Sequence, residues 1–155
     1  MGFSLGELLC VFGLLGAVTS LAVGGVPALL AQVTQTEALQ ISTRARLYWM
    51  ERWANDGREV TSTAPDYVYE PQGEYAYVMP DDAGDGTVTV LFKEKNPLLA
   101  DEALTIRPTF SDRVAPWSIA WICGAAEPAR GFVAVGEDRT TLPNARLVSG
   151  CRSRP

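Results

Sequence analysis

The side chains that could do chemistry are few and widely spaced. Glu7 is the only charged residue among the first 36, and 29 uncharged residues follow from Leu8 to Thr36. A carboxylate in lipid costs about 2–4 kcal/mol on insertion scales, so an acid in such a run points to a function rather than to a plain membrane anchor. Cys10 lies in the same run and reads as a free, inert thiol, because a buried Cys behaves as a small hydrophobe. Cys123 and Cys151 bracket 27 residues rich in Gly, Pro, Ala and Arg. In an exported domain that pair reads as a disulfide contributing about 3–4 kcal/mol by the loop-entropy model, against the alternative of two reduced structural thiols. Asp81-Asp82-Ala83-Gly84-Asp85-Gly86 resembles the front of a calcium loop. It lacks an acid at the third position, and Phe92 stands where the bidentate Glu would be, so it reads as a hairpin turn.

The chain has 155 residues and no histidine, which removes the commonest general base and metal ligand. Three cysteines cannot build a four-thiolate zinc site. No nucleophile–base pair or metal cluster is visible, so no catalytic residue, metal or cofactor is expected. A composition of 47% hydrophobic and 20% charged residues is too apolar for a disordered chain. The net charge of -5 argues against a dedicated nucleic-acid binder.

The elements follow from the charge layout. One apolar rod precedes one ordinary soluble domain. The uncharged run exceeds the roughly 20 residues that cross a bilayer as a helix. A secretory signal peptide is the competing reading, but nothing basic precedes the run and an acid sits in its first turns. Gly13, Gly16, Gly24, Gly25 and Pro27 interrupt it, at about 1 kcal/mol per interior Gly and about 3 for Pro. The helix is expected to resume after Pro27. Leu29, Leu30, Val33, Ala38, Ile41, Ala45 and Tyr48 recur at three- and four-residue steps, with Glu37, Arg44, Arg46, Glu51 and Arg52 on a more polar side. Asn55-Asp56-Gly57 ends it. A helix of about 50 residues is near 75 Å long. Its second half can pack on a globular head; its first half has no partner within the chain and must enter lipid or a bundle.

The expected fold class is α+β: one long N-terminal helix on an antiparallel sheet of about four strands, closed by a C-terminal disulfide loop. Residues 1–2 are a residual leader, 3–30 the apolar transmembrane or filament-core helix, and 31–155 the head. Within the head, 31–55 is an amphipathic helix, 56–73 a connecting loop, 74–123 the sheet and 123–151 the disulfide-bounded segment. Strands are read at 74–79, 87–92, 103–110 and 117–123.

Gly2-Phe3-Ser4-Leu5-Gly6-Glu7-Leu8 resembles the processing site of type IV pilins. The resemblance implies cleavage between Gly2 and Phe3 by a prepilin peptidase, methylation of the new Phe3 amine, and pairing of that amine with Glu7 of a neighbouring subunit. It implies that Gly16, Gly24, Gly25 and Pro27 mark a stretch that melts in the filament. At the other end, Trp121-Ile122-Cys123 and the run from Leu142 to Arg152 are similar to the segments around the paired cysteines of type IVa pilins. The family's corresponding loop, the D-region, is exposed on the filament.

The expected function is therefore that of a type IV pilus subunit, a helical homopolymer for adhesion and twitching motility, with DNA uptake as a further role. Its implied partners are copies of itself, the prepilin peptidase and the inner-membrane assembly machinery. It would reside in the inner membrane before assembly and in an extracellular filament afterwards. A type II secretion pseudopilin or a minor pilin is the alternative, and the cysteine pair weighs against the pseudopilin. A singly anchored receptor stands third and an enzyme fourth. Residues 66–102 carry nine acids and two lysines, while 103–155 carry four acids and seven arginines. The expectation is that the acidic region of one head faces the arginine-bearing region of another. A DNA-binding patch of Arg130, Arg139, Arg146, Arg152 and Arg154 ranks below it, because acids surround these residues and no aromatics interleave them.

Overall fold

Leu5–Asp56 form a single α-helix, α1, of 52 residues in a computed structural model that describes residues 4–56, 73–79, 84–96, 98–111 and 118–153. At 1.5 Å per residue it is about 78 Å long. It runs without interruption through Gly16, Gly24, Gly25 and Pro27, so no restart after Pro27 occurs in the free chain. Its described extent ends at Asp56, and Gly57 of the expected Asn55-Asp56-Gly57 stop lies outside the described residues.

The second half of α1 packs on the sheet through Gln35, Ala38, Ser42, Ala45, Trp49 and Trp53, all buried. Their three- and four-residue steps put them on one helix face. Ala38, Ser42 and Ala45 are small and let the helix lie close to the strands. Trp49 and Trp53 fill the far end against Phe110. Trp53 meets Phe110 edge-on at 5.0 Å between ring centroids and stacks on Trp121 at 6.0 Å. Each such pair adds about 0.5–1.5 kcal/mol beyond the area it buries.

The apolar stripe expected from sequence needs correcting at its start. Leu29 and Val33 are 63% and 59% exposed, while Leu30, Ile41 and Tyr48 are half-buried. Ala38 and Ala45 lie in the core as expected. The buried face begins with Thr34 and Gln35, polar residues that enter the interior because each has a hydrogen-bonding partner there.

The sheet is a meander of β1 (Ala76–Val78), β2 (Val88–Phe92), β3 (Ala103–Ser111) and β4 (Ile119–Cys123), all antiparallel neighbours. The register sets Val78 opposite Val90, Val88 opposite Ile106, and Ile106 opposite Cys123. The residues that join β1 to β2 therefore form a hairpin connection, as expected; positions 80–83 of it lie outside the described residues. A fifth strand, β5 (Phe132–Ala134), pairs with Thr109–Ser111 of β3. Val78, Val88, Val90, Phe92, Leu104 and Ile106 form the main core with α1 and with Leu142, Leu147 and Cys151 from the C-terminal segment.

That segment also lies along β3. Thr105 Oγ1 accepts the Arg139 N–H at 3.0 Å, Thr140 Oγ1 accepts the Thr105 N–H at 3.0 Å, and Arg107 pairs with Asp138 at 3.6 Å. Threonine hydroxyls thus take the place of a strand's own carbonyls. Cys123 and Cys151 form the disulfide, with Cα atoms 4.7 Å apart. Gly124 follows at φ +53°, and a Cβ there would lie 2.9 Å from the Cys151 carbonyl oxygen. Glycine is therefore required where the two ends of the loop meet.

Candidate assembly surface

Every described side chain from Ser4 to Ser20 is exposed. Leu5, Leu9, Phe12, Leu14, Leu15 and Val18 are among them, with Leu5 at 80% and Leu14 at 67%. These side chains point to all sides of the rod, so no single neighbour within the chain could cover them. Gly13 and Gly16 have open space where a Cβ would stand. Such notches admit close approach of another helix. The polar side chains of the rod are satisfied internally. Thr19 donates to the Leu15 and Gly16 carbonyls at 2.9 and 3.1 Å, and Ser20 donates to Ala17 at 2.9 Å. A hydroxyl bonded back into its own helix can enter an apolar medium without an orphaned donor. Cys10 is a free, exposed thiol on this surface.

Glu7 closes a reciprocal cap at the start of α1. Its Oε2 accepts the Ser4 N–H at 2.9 Å, and Ser4 Oγ accepts the Glu7 N–H at 3.3 Å. This is a capping box, which satisfies two of the helix's unpaired N–H groups and sets a negative charge at the positive end of the dipole. Ser followed by Glu three residues later, ahead of an apolar run, is its sequence signature. Gly2 and Phe3 lie outside the described residues. Among the described residues no helix is long and apolar enough to cross a membrane.

Where the rod enters the head, a clamp holds it. Gln35 is fully buried; its Nε2 donates to the Arg146 carbonyl at 2.8 Å and its Oε1 accepts the Val148 N–H at 2.9 Å. Asn96 Nδ2 donates to Thr34 Oγ1 at 2.9 Å, and Asn96 Oδ1 accepts the Leu98 N–H at 3.1 Å. The clamp joins α1 to the β2–β3 connection and to the C-terminal segment. Hydropathy gave no sign of it, since it is built from amides and hydroxyls far apart in sequence. Further along α1, burial lowers the Arg46 guanidinium from its ordinary range, because the charged form loses hydration there.

Of the five arginines weighed as a patch, Arg146 and Arg152 line one cleft, together with Ala31, Gln32, Thr36, Leu98 and Leu147. Arg130 and Arg139 do not line it, and Arg139 is paired with Glu137 at 3.4 Å. Arg154 lies outside the described residues. The arginines are thus split between separate places. The acids of 66–102 are partly engaged as well: Glu74 pairs with Lys95 at 3.3 Å, Asp85 accepts the Thr87 N–H at 2.9 Å, and Glu102 accepts from Thr141 Oγ1. Asp66, Glu70, Asp81 and Asp82 lie outside the described residues. Among the described residues no three metal-ligating side chains come together. No protein-family model and no curated protein matches the chain.

Proposed function

We propose that this chain is a structural subunit that polymerises through its apolar N-terminal helix into an extracellular filament, in the manner of a type IV pilin. One observation carries the reading: a helix whose described Leu, Val and Phe side chains from Leu5 to Val18 are exposed all round, while its second half is locked into a folded head. Apolar surface loses about 25 cal/mol per Å² on exposure to water, so such a rod is stable only in lipid or among other rods. The pilin-like motif at Gly2-Phe3 and Glu7 names the second environment as the working one. Before assembly the rod resides in the inner membrane; adhesion and twitching motility are the functions of the resulting filament. The Cys123–Cys151 bridge favours a pilus subunit over a secretion pseudopilin.

In this mechanism Glu7 has two successive partners. In the free chain its carboxylate accepts the Ser4 N–H. In the filament it pairs with the methylated Phe3 amine of a neighbour, and that ion pair sets the axial register of adjacent rods. The Gly16–Pro27 stretch then unwinds to give the filament its extensibility. The test uses the reciprocal cap. Gln serves at this capping position as Glu does, whereas Ala removes both cap and charge. Glu7→Gln and Glu7→Ala should both leave the head folded and abolish most surface filaments in electron micrographs. Normal filaments from Glu7→Gln would overturn the register role.

A further inference from the structure

The cleft at the junction of rod and head has a volume of about 760 Å³. Its apolar lining is Ala31, Leu98, Leu99, Leu147 and Val148, and its cationic lining is Arg146 and Arg152. Both guanidiniums are held in place by backbone carbonyls. Arg146 donates to Leu98 O at 3.2 Å, and Arg152 donates to Leu147 O and, at 3.3 Å, to Ala145 O. Each guanidinium has five N–H donors, so several remain for a ligand. Among the described residues neither has a carboxylate partner, while Arg107 and Arg139 each have one. A cleft with an apolar floor and two pre-positioned cations that have no carboxylate partner among the described residues suits an anion that carries a hydrocarbon chain.

The position along the rod narrows the ligand. Ala31 lies 24 residues beyond Glu7 on an unbroken helix, about 36 Å at 1.5 Å per residue. The hydrocarbon core of a bilayer is about 30 Å thick, and about 40–45 Å with its headgroups. With Glu7 at one boundary, the cleft stands at the headgroup level of the opposite leaflet. Val26, 60% exposed and about 28.5 Å from Glu7 along the helix, would face acyl chains.

We infer that the cleft between α1 and residues 145–152 binds the phosphate of an anionic phospholipid through Arg146 and Arg152, with an acyl chain against the rod. The inference rests on the reading that the rod resides in a bilayer before assembly. It gives the head a fixed height and orientation on the membrane from which it is drawn into the filament.

The experiment places the full chain in nanodiscs of equal parts phosphatidylglycerol and phosphatidylcholine, releases it, and weighs the retained lipids by native mass spectrometry. The wild-type chain should retain phosphatidylglycerol in preference. An arginine near an anionic surface contributes about 1 kcal/mol, so Arg146→Gln with Arg152→Gln should lower that preference about thirtyfold. Arg146→Lys with Arg152→Lys keeps the charge and should keep most of the preference, which separates charge from misfolding. Excess glycerol 3-phosphate should leave the lipid in place; displacement would assign the cleft to a soluble phosphate and overturn the lipid proposal. Equal retention of the two lipids by the inserted wild-type chain, or an unchanged preference in the Gln pair, would also overturn it. So would a salt-sensitive dimer lost in the Gln pair while lipid preference is unaltered, which would give the cleft to a second copy. A chain that fails to enter nanodiscs overturns the membrane reading along with the cleft; equal retention by an inserted chain overturns the cleft alone.

Discussion

Gln35 and Glu7 show how single side chains fix the two ends of the apolar rod. Gln35→Leu would keep much of the volume and leave the Arg146 carbonyl and the Val148 N–H without their partner. A buried polar group so orphaned costs about 1–3 kcal/mol. Denaturant unfolding of the head should register a loss of that size, and an unchanged midpoint would show that the clamp is dispensable. Glu7 was legible as a residue apart, since it is the sole charge in 36. Its bond to Ser4 was equally legible as Ser-x-x-Glu, yet an acid in an apolar run draws attention to its charge before its cap. The clamp was not legible, because a Gln in an amphipathic helix reads as solvated unless its distant partners, Arg146 and Val148, are known.

At the scale of elements, the long helix and β1–β4 could be read from periodicity, since apolar residues recur at helical steps through Tyr48 and alternate in the strands. The expected strand ends at residues 74, 87 and 117 are each trimmed by one or two positions. β5 was missed for a physical reason. Phe132-Val133-Ala134 is three residues in a Gly- and Pro-bearing loop, and its pairing is dictated by the end of β3 that β2 leaves open. Leu29 and Val33 were placed on the packed stripe by hydropathy, yet full burial along α1 starts only at Thr34. Two outcomes follow at this scale. Removal of residues 1–30 should yield a soluble monomer that keeps the Cys123–Cys151 bond, measured by light scattering and thiol titration. Aggregation of that piece would mean the head depends on the rod. Replacing both cysteines by Ser should cost about 3–4 kcal/mol, given their sequence separation of 28, and a smaller loss would show that the C-terminal segment is held by its core contacts alone.

The whole molecule divides its charge as it divides its hydropathy. Residues 66–102 are acidic and 103–155 basic on balance, and Arg146 and Arg152 are exposed. In a helical polymer each head meets several neighbours through different patches. Contacts between the two regions would be partly solvated, worth no more than about 1 kcal/mol each, and weakened by salt. Filaments should therefore shorten under mild detergent more readily at high salt than at low. Lengths indifferent to salt would leave the apolar rods as the sole source of cohesion. The most direct test of polymerisation itself is the intact mass of the subunit in filaments sheared from cells that carry this chain. The mass predicted is that of a chain beginning at Phe3, with one added methyl group and the Cys123–Cys151 bond intact. Filaments without this chain, or with a subunit that begins at Met1, would contradict it.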